Sequence, residues 1–221
     1  MVYYRFQWMQ AFRRLPEILP GVLVTLEIAV ISILLGLVLS FVLAYLKTAK
    51  PAGLHILSDA WVSIARNTPA LLQVYFLYFG LGSLGIRIDS LVAVILGITF
   101  NNAGYLRDVM IAGVNAVPAT QIRAARSLGL GAFQTFLSVT LPQVMRYVFS
   151  PLMNQLSWSV LMSSLGMFVG LNTDVTALTQ NINARTFRTF EIFTIAAVIY
   201  YLIIKALNLL SKLVAWRLFR Y

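Results

Sequence analysis

The stretch from Gly21 to Leu46 is apolar almost throughout, and Glu27 is the one charged residue within it. A helix of about 20 apolar residues crosses the hydrocarbon core of a bilayer, where every backbone polar group must be hydrogen-bonded internally. The whole chain is 60% hydrophobic and 11% charged, whereas roughly 25% of residues are charged in ordinary soluble domains. The sequence therefore predicts an all-α membrane protein, because too little polar surface is available to cover a soluble domain.

Four further segments are long and apolar enough to be spans, although polar residues interrupt some of them. The five predicted transmembrane helices occupy residues 21–46, 57–81, 90–114, 147–169 and 190–213. We expect one bundle over residues 21–213, a cytoplasmic loop at about 115–146 and a cytoplasmic tail at 214–221. Residues 1–20 mix aromatic and basic side chains, which is typical of either a helix lying at the membrane interface or a loosely ordered tail.

Basic residues are unevenly distributed between the two sides that five spans create. One side carries Lys47, Lys50, Arg123, Arg126, Arg146, Lys212, Arg217 and Arg220, and the other carries Arg87, Arg185 and Arg188, with Arg5, Arg13 and Arg14 if residues 1–20 are counted. Because Lys and Arg are enriched in cytoplasmic loops, we predict an external N-terminus and a cytoplasmic C-terminus. The net charge of +10 comes from basic residues at the ends of the apolar segments. No pattern of alternating aromatic and basic residues indicates a nucleic-acid partner.

The sequence contains no recognisable set of catalytic residues. Gly80, Gly82 and Gly85 match the spacing of a dinucleotide fingerprint, but no predicted strand precedes them. A phosphate-binding loop, a His-Glu-x-x-His motif and a nucleophile elbow are all missing, and cysteine is absent, which excludes disulfides and thiolate metal sites. We therefore expect neither enzymatic activity nor a cofactor on this chain.

Polar side chains inside the predicted spans are candidates for lining a passage through the bundle. Helical spacing places Asn101, Tyr105 and Asp108 on one face, and Pro69 is expected to bend or open the second span. Such residues usually face the bundle interior or a water-filled cavity, but they also form interhelical hydrogen bonds, and Arg107 and Asp108 could be hydrated at the cytoplasmic end. The predicted path residues are Gln73, Asn101, Asn102, Tyr105, Asp108, Ser163 and Ser164.

A polar island at residues 121–129 predicts a short, rigid cytoplasmic helix between the third and fourth spans. Ala124 and Ala125 favour helix, and Gly129 supplies the left-handed turn that commonly ends one. Pro142 lacks an amide donor and therefore suits the first turn of the next helix. A short helix held between two spans is suited to contact another protein.

Four stretches in order resemble the membrane permease subunit of ATP-binding-cassette (ABC) importers for polar amino acids. The island matches the family's Glu-Ala-Ala-(x3)-Gly-(x9)-Ile-x-Leu-Pro loop at Ala124, Ala125, Gly129, Val139, Leu141 and Pro142. The other three stretches, residues 66–80, 104–118 and 183–188, are similar to family segments of the second span, the third span and the approach to the last span. The resemblance covers most of residues 20–210.

The resemblance implies the type I ABC importer permease fold, with five transmembrane helices and a cytoplasmic coupling helix, in the bacterial inner membrane. It implies as partners a cytoplasmic ABC ATPase dimer, a second permease chain that is identical or homologous, and an extracytoplasmic amino-acid-binding protein. ATP and Mg²⁺ would bind to the ATPase and not to this chain. The residues expected to couple to the ATPase are Arg123, Ala124, Ala125, Ser127, Leu128, Gly129 and Pro142.

Two positions depart from the family pattern. Arg123 stands where the loop motif has Glu, and Arg107 stands where the third-span motif has Ala. The reversed charge at Arg123 disfavours a basic partner, which leaves open a specialised ATPase, a heterodimer whose second chain keeps the Glu, or a diverged coupling half. It also leaves open a different function, in which the chain is a non-transporting membrane scaffold that anchors a cytoplasmic partner.

Overall fold

The computed structural model describes residues 4–48 and 53–218, which form helices joined by short connections, with no strand among them. Lys50 and Arg220, two of the residues used to predict the orientation, lie outside the described ranges. The helices are α1 (Trp8–Phe12), α2 (Leu15–Ile18), α3 (Pro20–Thr48), α4 (Leu54–Asn67), α5 (Ala70–Tyr75), α6 (Leu81–Ser83), α7 (Ser90–Asn115), α8 (Ala119–Ser127), α9 (Ala132–Thr135), α10 (Leu141–Met162), α11 (Val175–Thr186) and α12 (Thr189–Leu218). π-Helical turns at Phe76–Gly80 and Phe136–Thr140 connect α5 to α6 and α9 to α10, and a 3₁₀ segment at Ser163–Val169 follows α10.

The described chain traverses the bundle five times, through α3, then α4 to α6, then α7, α10 and α12. Side-chain contacts along α3 and α7 show that these two helices run parallel to each other. The α4–α6 pass and α10 run antiparallel to α7. The starts of α3 and α7 therefore lie at one end of the bundle, and α8 lies at the other.

Three predicted spans agree with helices of the structure to within a few residues: 21–46 with α3, 90–114 with α7 and 190–213 with α12. Of the described helices, α3 and α12 are the two that combine the length and the apolar composition needed to cross a membrane. The α4–α6 pass is broken, and α7 and α10 carry more polar and charged residues, so composition alone identifies these passes less clearly.

The break expected at Pro69 is present in the second pass. Thr68 is extended (φ −119°, ψ 143°) and α5 starts after Pro69, because proline disfavours helical backbone in the residue before it and has no amide donor. The fourth pass differs from its predicted bounds of 147–169. It begins at Leu141, with Pro142 in the first turn, and its α-helical part ends at Met162.

Small residues allow α7 to approach its neighbours closely. A Cβ atom added to Gly104 would lie 2.5 Å from the Ala65 Cβ of α4, and one added to Gly113 would lie 2.6 Å from a Val148 methyl of α10. Helices in membranes commonly pack through such small residues, because close backbone approach increases the van der Waals contact. α7 is therefore the central helix of the bundle.

The N-terminal segment is packed against the bundle, so the prediction of a loosely ordered tail is wrong for residues 4–20. Ala11 of α1 and Ile18 of α2 are buried in a cluster with Val175 of α11 and Ile192 of α12. The helix α11 was not predicted, because its polar composition has no clear apolar period. Asp174 caps the N-terminus of α11, and its carboxylate accepts hydrogen bonds from two backbone amides of the first turn.

The short helix predicted in the connecting loop is confirmed as α8. Gly129 adopts the left-handed conformation (φ 86°), and the amide of Leu130 donates to the carbonyl oxygen of Ala125 at 3.2 Å. This arrangement is the usual way in which a glycine ends a helix. The polar island is therefore a single compact helix, two and a half turns long.

Candidate functional site

Gln73 and Asn101 restore the hydrogen bonding that the break between α4 and α5 removes. The Gln73 Nε2 donates to the carbonyl oxygen of Ala65 at 3.0 Å and to that of Thr68 at 3.2 Å. The Asn101 Nδ2 donates to the same Ala65 oxygen at 3.0 Å and to Gln73 Oε1 at 3.3 Å. Both side chains are buried, and their contacts satisfy the carbonyl oxygen of the buried residue Ala65 as well as that of Thr68.

Asn102 links α7 to α10 in the middle of the bundle. Its Nδ2 donates to Ser159 Oγ at 3.0 Å, and its Oδ1 accepts a hydrogen bond from Gln155 Nε2 at 2.9 Å. The structure thus places Asn101 and Asn102 in hydrogen bonds between helices. Such bonds are the alternative to lining a passage that the sequence left open for polar residues inside the spans. A role for Gln73, Asn101 or Asn102 in a substrate path stays a prediction.

A chain of alternating charges crosses three helices near the α8 end of the bundle. Arg107, with 8% of its side chain exposed, lies 2.7 Å from a carboxylate oxygen of Asp59 and 2.8 Å from one of Asp108. Asp59 also pairs with Lys47 at 2.7 Å, and Asp108 pairs with Arg66 at 2.9 Å. Each carboxylate therefore lies between two cations. The buried Arg107 guanidinium in turn contacts two carboxylates, which offset the cost of removing its charge from water.

Sequence reasoning identified only part of this ion chain. Asp108, whose side chain is 43% exposed, lies at a hydrated edge, whereas Arg107 is buried among counter-ions. Asp59 and Arg66 were missed as its partners. The available signal was Arg107 itself, because an ionisable residue inside an apolar segment needs a partner of opposite charge on a neighbouring helix.

An open pocket of about 490 Å³ lies between α7 and α10, one turn away from the ion chain. Tyr105 is 39% exposed and Trp158 is 53% exposed, and the guanidinium carbon of Arg66 lies 5.1 Å from the centre of the Tyr105 ring. The pocket therefore offers aromatic faces, amides and a hydroxyl beside the Arg66–Asp108 pair. Its lining residues are Tyr105, Asn154, Gln155, Ser157, Trp158 and Leu161.

The two predicted serines lie beyond this pocket, towards the end of α10. Ser163 is fully buried and donates to the carbonyl oxygen of Val160 at 2.8 Å. Ser164 donates to the carbonyl oxygen of Leu161 at 2.7 Å and lines a separate, mostly apolar recess against α12. The structure therefore does not bring them together with Tyr105 and Asp108.

Six of the seven residues expected to couple to an ATPase lie on α8 or just after it, whereas Pro142 lies apart in the first turn of α10. We call the exposed side of this region the coupling surface. It comprises the solvent-facing side of α8 and the start of α9, where Leu128 is 83% exposed and Phe133 is 72% exposed. Ala125 is the exception, since it is buried against the bundle. Arg123, Ala124, Ser127, Leu128, Gly129 and Pro142 are exposed.

The inner side of α8 is attached to the bundle by an apolar cluster. Val117, between α7 and α8, is buried with Met110 of α7 and Val144 of α10, and Ile122 of α8 packs on the same cluster. Gln143 Nε2 of α10 also donates to Gln121 Oε1 of α8 at 2.6 Å. The inner side of α8 is therefore packed directly against α7 and α10.

Comparisons with known proteins agree on one family. A family model described as the binding-protein-dependent transport system inner membrane component matches residues 36–220. The arginine transport system permease protein ArtQ of Bacillus subtilis (strain 168) is 32% identical over 206 residues, covering 93% of this chain and 94% of that protein. The putative glutamine transport system permease protein GlnP of Rickettsia conorii (strain ATCC VR-613 / Malish 7) is 30% identical over 198 residues, covering 89% and 90%.

Solved structures share the fold of this chain. A crystal structure of an amino acid ABC transporter with histidines superposes with a TM-score of 0.87 over 97% of this chain and 100% of that chain, at 24% identity. An inward-facing structure of the MetNI methionine ABC transporter superposes with a TM-score of 0.75 over 93% of this chain and 98% of that chain, at 19% identity. At these identities, the similarity establishes the fold alone.

Replacing Arg107 by Met should lower the free energy of unfolding by about 1–3 kcal/mol, because Asp59 and Asp108 each lose a charged hydrogen-bond donor. Lys47→Met is the matched control, since Lys47 pairs with the same Asp59 from a more exposed position, where such pairs contribute under about 1 kcal/mol. Denaturant unfolding of both variants in micelles measures the difference. Equal losses in the two variants would contradict a special role for the buried guanidinium.

Proposed function

The chain belongs to the family of binding-protein-dependent transport system inner membrane components, and from that premise we propose that it is the permease subunit of an ATP-driven amino-acid importer. Its fold is that of the type I ABC importer permeases, as predicted. The proposal of an amino-acid substrate is supported by the full-length relatives, which are named as arginine and glutamine permeases. ATP hydrolysis then belongs to a separate chain.

The observation that carries this function is that one helix, α7, joins an open pocket, lined by aromatic and polar side chains, to the coupling surface. Tyr105 borders the pocket, and α8 begins four residues after α7 ends. The Val117 cluster fixes the turn between them. A movement of α8 therefore displaces the wall of the pocket, which is what coupling between an ATPase and a transport path requires.

The pocket has the mixed chemistry that a free amino acid needs. Such a substrate is a zwitterion, so it requires both donors and acceptors and not a surface of one charge. Asn154, Gln155 and Ser157 supply both kinds of group, and Tyr105 and Trp158 supply faces that attract an ammonium or guanidinium group. We therefore assign the substrate contact to Tyr105, with Asp108 one turn away in the adjoining ion pair with Arg66, while Asn101 and Asn102 hold the helices in place.

A second permease chain, identical or homologous, would close this pocket. The pocket is open on one side, and Tyr105 and Trp158 are large aromatic residues that remain exposed there. Exposed aromatic residues around a polar recess are typical of a contact surface. Five traverses cannot be divided into two equal repeats within one chain. A pseudo-symmetric passage would therefore form between two such chains.

The proposed cycle is alternating access. A cytoplasmic ABC ATPase pair, which binds ATP and Mg²⁺, docks on the coupling surfaces of the two permease chains. When the ATPases close on ATP, the α8 helices move together and the bundle opens outward to receive the amino acid from an external binding protein. This cycle requires an external N-terminus and a cytoplasmic C-terminus in the bacterial inner membrane.

The charge of the coupling surface indicates what kind of ATPase groove it fits. The chain has no Asp or Glu between Asp108 and Asp174, so Arg123 and Arg126 of α8 face a partner without any neutralising acid in the loop. Leu128 and Phe133 add two exposed apolar side chains. The surface therefore complements a groove with an apolar floor and carboxylates at its rim, which matches the interpretation of a specialised ATPase.

The alternative function, a non-transporting scaffold, makes use of the coupling surface but not of the pocket. It predicts that the ATPase binds while no solute crosses the membrane. The open pocket beside Arg66 and Asp108 favours transport, because a scaffold has no need for exposed aromatic and polar groups at that depth of the bundle.

Tyr105→Ala should reduce ATP-driven uptake of the amino acid into proteoliposomes by about fivefold or more, because one aromatic wall of the pocket is lost. The matched control is Tyr45→Ala, since Tyr45 is 70% exposed on α3 and does not line the pocket. Uptake of arginine and glutamine is measured together with ATP hydrolysis. Normal uptake in both Tyr105→Ala and Asp108→Ala would remove these residues from the path, and ATPase binding without uptake by the unmodified complex would favour the scaffold.

Arg123→Glu should weaken binding of the partner ATPase by about tenfold, because a carboxylate at this position is repelled by an acidic groove. The control is Arg146→Glu, which makes the same charge change on α10, outside the coupling surface. Affinity is measured at low and high salt on detergent-solubilised chains, and the difference should shrink as salt rises. Tighter binding of the Arg123→Glu variant would show that the groove is basic and would contradict the assignment.

A further inference from the structure

Among the described residues, the end of the bundle opposite α8 carries arginines and no lysine, whereas the described lysines lie in the other half. Arginine is the basic residue whose planar fork matches a phosphate or carboxylate with two parallel hydrogen bonds. The basic residues at this end are therefore all of the type that binds phosphate best, although arginines also lie at the α8 end. The arginines at the end opposite α8 are Arg5, Arg13, Arg14, Arg87, Arg185 and Arg188.

Three of these arginines surround a cavity of about 310 Å³ between the α1–α2 turn and the α11–α12 turn. The buried residues Ala11 and Ile192 form an apolar floor. The rim carries donors from both turns, with Arg188 on one side and Arg13 and Arg14 on the other. The remaining lining residues are Gln10 and Thr186.

The carboxylates near this cavity are already engaged elsewhere. Glu17 binds Arg14 at 2.7 Å and Arg185 at 3.2 Å. The hydrogen bond from Arg14 lowers the pKa of the Glu17 carboxyl, which therefore remains ionised. Glu191 accepts hydrogen bonds from the Tyr4 hydroxyl and from the backbone amide of Gln7.

One arginine of the rim, Arg13, consequently lacks a counter-ion within the described part of the chain. Arg13 has no ion pair or side-chain hydrogen bond among residues 4–48 and 53–218. Arg188 donates to the carbonyl oxygen of Arg5 at 3.0 Å, lies 5.9 Å from the Tyr4 ring and interacts electrostatically with the Glu191 carboxylate. The cavity is therefore a concave site with an unbalanced positive charge.

The surroundings of the cavity have the composition expected of a site at the membrane interface. Met9, one turn before Arg13, is 70% exposed, and Phe12 is 55% exposed. Phe187, beside Arg188, is 81% exposed and has a left-handed backbone (φ 53°), which is unusual for an aromatic residue. Exposed apolar side chains next to arginines are typical of segments that lie in the membrane interface.

We propose that this cavity binds the phosphate group of an anionic phospholipid, such as phosphatidylglycerol. Arg13 and Arg188 hold the phosphate oxygens from opposite sides, while the exposed Met9 and Phe12 contact the acyl chains. The lipid would hold the N-terminal helices against α11 and α12 at the mouth of the bundle. A lipid suits the cavity better than the surface of a folded protein, because the donors converge on a recess that is small and concave. The proposal does not depend on the transported solute.

The test is the thermal unfolding midpoint of the full-length chain in a neutral detergent, with added short-chain phosphatidylglycerol, phosphatidylcholine or inorganic phosphate. We expect phosphatidylglycerol to raise the midpoint more than phosphatidylcholine or inorganic phosphate does. In Arg13→Gln the shift should fall to roughly half or less, because one of two charged donors is lost. Arg87→Gln, at the same end but outside the cavity, is the matched control and should keep the full shift.

Further outcomes separate lipid from other anions and from a protein partner. Equal shifts with inorganic phosphate would show a general phosphate site and overturn the lipid assignment. Equal phosphatidylglycerol shifts in the unmodified chain, Arg13→Gln and Arg87→Gln would overturn the site. Loss of binding-protein affinity in Arg13→Gln, without any change in the lipid shift, would assign the cavity to protein docking. Native mass spectrometry of the phosphatidylglycerol retained by the unmodified chain and by Arg13→Gln provides a second readout, and equal retention in the two would also overturn the site.

Discussion

A guanidinium enclosed by apolar helices is stable only where carboxylates meet it, and this requirement fixes how α3, α4 and α7 come together. Arg107 projects from α7, Asp59 supplies its carboxylate from α4, and Lys47 at the end of α3 balances Asp59. The same chain continues through Asp108 to Arg66, which lies just before the break at Pro69. One buried charge thus positions both the end of α4 and the edge of the Tyr105 pocket.

The central helix α7 connects this ion chain to the rest of the mechanism. Its glycines bring it into close contact with α4 and α10, its asparagines bind the broken second pass and α10, and its C-terminal end leads through the Val117 cluster into α8. Close packing transmits displacement because well-packed interiors have low compressibility. We therefore propose that the pocket and the coupling surface respond to each other without a separate relay.

Much of the fold could be predicted from sequence, because length, apolar composition and proline or glycine positions act locally. α3, α8 and the break at Pro69 follow from such local rules. The packed N-terminal helices and α11 could not be predicted, since their stability comes from contacts with residues more than a hundred positions away. Of the predicted path residues, Tyr105 lines the pocket and Asp108 lies one turn away in the ion chain, and their role in a path stays a prediction. Asn101 and Asn102 engage buried partners that spacing within one helix does not identify.

The central claim is that α8 and the pocket wall move as one body. The chain has no cysteine, so spin labels can be placed at Ser127→Cys on α8 and Ser157→Cys in the pocket without other changes. Their separation should be measured by pulsed electron paramagnetic resonance in the assembled transporter, with and without ATP. The account predicts the same narrow distance distribution in both states, whereas a shift or broadening on ATP binding would contradict rigid coupling through α7 and α10.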